Sequence, residues 1–428
     1  MSFLVLGALV VFVVFEMEVS IMSNEIGRRE FMNSVIGAGL VAATGVRAAQ
    51  TAQGKQPKAS DVMPTPTSGF MPSIAGLPAV TVDDRRARSR RDAPVAVVKS
   101  SDARVAGYEL MRLLKPALRA DRVFLKVNMS FIKTRAWPGQ MPERPQMYAT
   151  GSDPRFVEGL MQYLREQGIP YNKMTIGEGA GWFDTTAERF EAFGFGELAK
   201  KTGARLLDIN NASERMGVKI PGSTLMPHVA VSKPVVEHYR DGVLINIAKL
   251  KTHQLAVTTL GIKNMMGVVL PAGEKPRFHA EFHRVERTAN PPTFPRSAYC
   301  DSWIYFATRL VDLYSITPDL IVIDGIIGGE GSGFLVPDSK ETMPVESHRA
   351  FGSTSGINVD AVASSFMGYD PRNPQVEGLP ELDRLWWIYL GAKRGHGHED
   401  VSKIQVLGDR ALIKPDRRFR LHKSFNLV

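Results

Sequence analysis

The sequence predicts an α/β fold, a mainly parallel, Rossmann-like sheet with helices on both faces. Short β-rich runs alternate with helical patterns from Pro94 onward, the order expected of strands joined by helical crossovers. Composition agrees: 44% of the 428 residues are hydrophobic and 23% charged, enough apolar surface for one large core or two smaller ones. Polar and charged residues also recur just past the carboxyl ends of the predicted strands, where sheets of this kind collect ligands.

The chain begins with a hydrophobic run, "FLVLGALVVFVVF" (Phe3 to Phe15), shorter than the ~20 residues a bilayer-spanning helix needs. Residues 1–21 therefore read as an over-extended start or an extra leader element, with Met22 a natural start, and no stable transmembrane span is expected in the mature form. Residues 22–49 read as a twin-arginine signal peptide. Arg28 and Arg29 precede Phe31, a Gly/Ala-rich apolar run from Val35 to Val46 follows, and small residues stand at Ala48 and Ala49. The expected partner of this leader is the twin-arginine export machinery, and the expected location is periplasmic or extracytoplasmic. Residues 50–93, rich in Pro, Ser, Gly, Thr and charge, read as a disordered linker. The net charge of +9 includes five arginines in "RRARSRRD" (Arg85 to Asp92), which read as a solvated linker; with an export leader in front, no nucleic-acid partner is expected.

Residues 94–428 form the expected α/β domain. Its strands are "VAVVK" (95–99), "RVFLKV" (122–127), "KMTIGE" (173–178), "ARLLDI" (204–209), "GVLINI" (242–247), "DLIVID" (319–324) and "KIQVLG" (403–408). Its helices are Asp153–Glu166, opened by a capping Asp and a first-turn Pro, then Thr185–Lys201, Val359–Met367 and Leu382–Leu390.

The strand ends carry the chemistry. Lys126 and Asn128 close the second strand, Glu178 the third, and Asn210 and Asn211 follow the fourth. Lys249, Lys251 and His253 follow the fifth, with Lys263 and Asn264 beyond; Asp324 ends the sixth and runs into "GIIGGEGSG", which contains Glu330. Lysines around a cleft suit phosphate or carboxylate oxygens, and carboxylates there suit a divalent metal or the lysines themselves. The roles expected are catalytic for His253, Lys251 and Lys263, cofactor-binding for Lys126, Asn128, Lys249 and Asn264, and metal-binding for Glu178, Asp324 and Glu330. Gly261 and Gly267 flank Lys263 and are expected to leave room for a ligand. In "RFHAEFHR", His279 and His283 have a metal-compatible spacing but read better as a basic lid; "GHGHED" reads as a surface loop with some affinity for metal. A single cysteine, Cys300, excludes an intramolecular disulfide and an iron–sulfur cluster held by the chain's own cysteines. No Gly-x-Ser-x-Gly elbow supports a hydrolase.

Five segments resemble the "domain of unknown function 362" family: 150–168, 175–210, 245–269, 318–333 and 356–371, within a likeness spanning roughly 94–410. "KLKTHQLAVTTLGIKN" is the most specific part. The resemblance implies an α/β domain with a shared polar centre and no settled reaction. Some relatives carry an appended cysteine-rich ferredoxin-like module, from which this chain departs. A looser likeness to the N-terminal domain of nickel-dependent lactate racemases would put His253 and Lys263 in cofactor-holding positions. The expectation from all this is an exported protein, an enzyme acting on an anionic small molecule with a metal or phosphorylated cofactor. The alternative is a non-catalytic ligand- or metal-binding delivery protein.

Overall fold

The computed structural model describes residues 73–118, 120–130, 144–179, 185–253, 256–279, 296–333, 342–376 and 382–422, all within one unit, Lys58–Val428. Both expected leader segments, 1–21 and 22–49, lie outside the described residues, as do His283 and most of 50–93.

The first half of the chain forms β1 (Ala79–Thr81), α1 (Arg85–Arg88), β2 (Val95–Lys99), α2 (Ala103–Leu114), β3 (Val123–Lys126), α3 (Arg144–Tyr148) and α4 (Pro154–Glu166). Next come β4 (Met174–Glu178), α5 (Thr186–Phe193), α6 (Phe195–Thr202), β5 (Arg205–Asp208), β6 (Arg215–Lys219), β7 (His228–Ser232) and α7 (Lys233–Asp241). The rest forms β8 (Val243–His253), β9 (Val257–Thr259), α8 (Gly261–Asn264), α9 (Arg296–Leu313), β10 (Leu320–Gly331), β11 (Thr342–Ser353), α10 (Gly356–Phe366), α11 (Trp386–Lys393) and β12 (Val406–Leu407).

Local signals explain several boundaries. Asp153 caps α4 by accepting from Arg155 N, with Pro154 in the first turn. Thr185 and Glu188 form a reciprocal capping box at the start of α5. The single helix expected over 185–201 is two, because Gly194 turns the backbone left-handed (φ 88°) and ends α5.

The main sheet has the order β12-β2-β11-β10-β8-β3-β4-β5, with β9 folded back on β8. Its pairings are parallel except those of β9 and of β11, which runs antiparallel to both β10 and β2. From β3 the chain winds outward through β4 and β5; from β8 it winds the other way to β10. The crevice between β8 and β3 is therefore a topological switch point, the place where open α/β sheets bind ligands. A smaller sheet, β1-β6-β7, packs nearby.

Alternating residues of the central strands feed two cores. Leu244, Ala248, Leu250, Ile321 and Ile323 pack on one face with residues of α9, α10 and α11. Ile245, Ile247, Leu320 and Val322 pack on the other with residues of α2, α4, α5 and α6. On that second face α2 and α4 touch backbone to backbone: a Cβ on Gly159 would stand 2.0 Å from Arg104 O, and one on Gly107 2.2 Å from Phe156 O.

Three expectations change. β8 and β10 run on to His253 and Gly331 instead of ending near 247 and 324. The last strand shrinks to Val406–Leu407. Residues 79–88, expected in the linker, form β1 and α1; there Arg86 donates to Tyr239 O at 2.9 Å and Arg90 to Pro318 O at 2.5 Å, so those two arginines are anchors.

Candidate functional site

The switch-point crevice is built by β3, β4, β8 and β10, with α8 laid across it. Because β8 extends, Lys249 and Lys251 lie inside the strand and are buried, where the sequence placed them just beyond its end. Lys249 Nζ meets Asp324 Oδ2 on β10 at 2.8 Å, and Asp324 Oδ2 also accepts from Asp153 N at 2.9 Å. Burial pushes the Asp324 carboxyl up, and Lys249 opposes that shift.

On the β3 side, Lys126 Nζ meets Glu178 Oε2 at 2.9 Å, Val127 O at 2.9 Å and Asn264 Oδ1 at 3.1 Å. Burial lowers the Lys126 ammonium, opposed by Glu178. Asn264 ties the two sides together. Its Oδ1 also accepts from Asn128 Nδ2 at 2.8 Å, and its Nδ2 donates to Asn246 Oδ1 at 2.6 Å and to Ile247 O at 3.1 Å. Every donor and acceptor of that amide is used, which fixes its orientation.

The remaining lysines of the crevice touch no carboxylate among the described residues. Lys251 donates to Asn128 Oδ1 at 3.2 Å, Thr150 O at 2.5 Å and Ser130 Oγ. Burial, then the charges of Lys263 and Lys249, push it well below the lysine range. Its three acceptors nevertheless match the three N–H groups of an ammonium, and we assign it the charged form on that geometry. Lys275 donates to Asn210 Oδ1 at 2.5 Å, and burial holds it at about 8. Lys263 is 9% exposed and makes no hydrogen bond or ion pair among the described residues; burial, then the charge of Lys126, lowers it to about 7.

Asp360 of α10 seats α8. Its Oδ1 accepts from Gly261 N at 2.8 Å and its Oδ2 from Ile262 N at 3.0 Å. Burial raises this carboxyl to about 7 against the pull of those bonds. The glycines flanking Lys263 do not leave open space, as the sequence suggested. A Cβ on Gly261 would stand 2.5 Å from Ile321 Cγ2 and 3.0 Å from Asp360 Oδ1, and one on Gly267 2.8 Å from Lys126 Nζ. They let the backbone close on the site.

The crevice thus gathers Lys126, Asn128, Glu178, Lys249, Lys251, Lys263, Asn264 and Asp324 from the expected set. Glu330 is elsewhere: its carboxylate meets Arg417 Nη1 at 2.7 Å and Arg420 Nε at 2.6 Å, fastening the C-terminal segment to the end of β10. His253 ends β8, buried, two residues past Lys251. The three expected metal ligands are therefore each engaged by a basic side chain instead of facing one another. Among the described residues no group of three His, Cys, Asp or Glu is placed to hold a metal ion. The "GHGHED" loop is tied down rather than open, His396 Nε2 lying 3.0 Å from Asp84 Oδ2 and His398 Nε2 2.7 Å from Asp92 Oδ1.

Sequence reading missed Lys275, Thr150, Ser130, Asn246 and Asp360. Thr150 acts through its carbonyl, which carries no residue signature. Lys275 lies in a 3-10 segment and not at a strand end. Asp360 sits one turn inside a helix whose expected start, Val359, was late. A 420 Å³ cavity lined by Tyr148, Arg155, Phe193, Glu197 and Lys201 shares none of the crevice lysines. The crevice is preferred as the site because it combines a switch point with buried, uncompensated charge.

A family model described as "Domain of unknown function (DUF362)" matches residues 123–365. The chain is also similar to a thylakoid-associated protein of Synechocystis, 28% identical over 222 residues, which are 52% of this chain and 56% of that protein. The chain thus spans little more than half the length of this relative. No helix among the described residues is long and apolar enough to cross a membrane.

Proposed function

The chain belongs to the domain of unknown function 362 family, and from that premise we propose that the crevice between β8 and β3 binds an anionic small molecule on which the protein acts as an enzyme. One observation carries the reading: Lys251, Lys263 and Lys275 enter the crevice buried and with no carboxylate partner among the described residues. Buried charge without a partner is expensive. An arriving phosphate or carboxylate would compensate it and convert that expense into affinity. In this reading Lys263 contacts the anion, Lys251 and Lys275 supply positive potential, and His253 moves a proton.

A resident divalent metal or nickel-bearing nucleotide is less well supported, because Glu178, Asp324 and Glu330 are already met by basic groups. The alternative is a carrier that binds the same class of anion without chemistry, favoured by the full engagement of Lys126 and Lys251 in fixed hydrogen bonds. We further propose export through the twin-arginine pathway, on the strength of Arg28, Arg29 and the apolar run behind them.

Native mass spectrometry and metal analysis of the protein purified from its own host test the binding reading. A co-purifying phosphate or carboxylate compound is the expected result. Thermal-shift measurements with phosphate, nucleotides and small carboxylic acids complete the test; no stabilisation by any of them would remove the proposal.

A further inference from the structure

We propose that Lys263 is a covalent, imine-forming nucleophile, and that the anion bound in the crevice is an aldehyde or ketone. This rests on the anion-binding reading above. The geometry separates Lys263 from its neighbours. Lys126, Lys249, Lys251 and Lys275 each have Nζ committed to an oxygen acceptor, and Nζ of Lys263 is committed to none among the described residues. It is carried on α8, whose position is fixed at one end by Asp360 and at the other by the fully bonded Asn264. A free, buried amine on a rigid support has the arrangement that lysine nucleophiles require.

Charge completes the case. Burial, then the charge of Lys126, lowers Lys263 to about 7, so the neutral amine is abundant near neutrality. Lys251 and Lys275 remain to draw in the anionic group of the same molecule. The step balances without a further reactant. The Nζ lone pair of Lys263 attacks the carbonyl carbon, and the C=O π electrons move to oxygen, giving a carbinolamine. The amine's two protons then leave with that oxygen as water, and a C=N bond remains. The substrate class is accordingly a carbonyl compound bearing carboxylate or phosphate, such as a 2-oxo acid or a phosphorylated aldehyde.

The test uses the full chain with pyridoxal 5′-phosphate, which carries an aldehyde and a phosphate, and with pyruvate. Each is reduced in place with borohydride, and the modified lysine is located by peptide mass spectrometry. The expected result is labelling concentrated on Lys263 at sub-stoichiometric reagent, suppressed at least tenfold by excess inorganic phosphate, and increasing as pH rises through about 7. Lys263→Arg should lose that label. Label spread over exposed lysines with Lys263 unmodified in the wild type would overturn the proposal, whatever the variant does. Phosphate binding to the wild type is read separately by thermal shift. If phosphate stabilises the protein and Lys263 stays unlabelled, the imine is wrong and the anion site stands. If phosphate has no effect, the anion site itself fails.

Discussion

Lys249 and Asp324 face each other across adjacent parallel strands, with Nζ 2.8 Å from Oδ2 and neither side chain exposed. Among the described residues each is the only charge that compensates the other by direct contact, and Asp324 also holds the backbone N–H of Asp153 and Ile326.

Breaking this pair from one side should therefore be severe. Lys249→Met is expected to lower unfolding free energy by ~3–5 kcal/mol, because it strands a buried carboxylate. Adding Asp324→Asn should restore part of that loss, since the neutral amide needs no counter-charge, although its one oxygen keeps only one of the two backbone N–H bonds that Asp324 accepts on separate oxygens. A double-mutant cycle in urea measures it. Strict additivity of the two single changes would mean that the ion pair contributes nothing specific.

Lys263→Met should act in the opposite direction. The wild-type lysine is held at about 7, far below the 10.5 of an unfolded chain. Below pH 7 both states are protonated and the burial penalty is fully present. Between about 7 and 10.5 the unfolded state binds more protons, so wild-type stability rises with pH; above 10.5 the contribution is gone. At pH 6 the variant should be more stable than wild type by ~1–3 kcal/mol, a gap that closes as pH rises. It should also lose the stabilisation that phosphate confers. Urea titrations of both proteins at pH 6 and pH 9 read the first effect, and thermal shifts read the second. A variant less stable than wild type at pH 6 would contradict the reading of Lys263 as an uncompensated charge.

Glu330 should behave as an anchor. Burial raises its carboxyl, but hydrogen bonds from Arg417 and Arg420 outweigh that and hold it below the usual glutamate value of 4.5. Its stabilising contribution is present above 4.5 and is lost as pH falls through the folded-state value. Glu330→Gln is expected to cost ~1–3 kcal/mol at pH 7, with the difference shrinking as pH falls below 4.5, and to leave phosphate-induced stabilisation intact. An altered phosphate response would bring Glu330 back into the ligand site.

The leader is tested independently of the fold. Replacing Arg28 and Arg29 together with lysine should leave the precursor in the cytoplasm, followed by cell fractionation and immunoblotting. Unchanged export of the double variant would remove the twin-arginine assignment.

Much of the crevice was legible because its residues sit where strands end. Lys126, Asn128, Glu178 and Asp324 were all found that way. All five segments that carry the family resemblance also reach this site: Thr150, Glu178, Lys251 with Asn264, Asp324 and Asp360 come one from each. The extension of β8 was not legible, because Lys249 and Lys251 break the apolar run and only Asp324 opposite makes the first of them tolerable inside a strand. Nor was β11, whose sequence "TMPVESHRAFGS" contains Pro, Gly and charge and is half-exposed along its first half. Pairing with β10 and β2 overrides its weak intrinsic preference. Glu330 was misplaced for a related reason: β10 continues past Asp324 through a register shift, so spacing from Asp324 no longer predicts direction.

Asp360 grips α8 from 99 residues downstream of Gly261. A nascent chain synthesised only through Lys275 already contains every lysine of the crevice, yet lacks the carboxylate that orients the short helix bearing Lys263. The amine of Lys263 is therefore among the last features to be placed, waiting for a helix made well after it. A fragment stopping short of Asp360 would carry the whole set of charges without the seat that aims them, and so would show whether the charge alone, or its late positioning, makes the site.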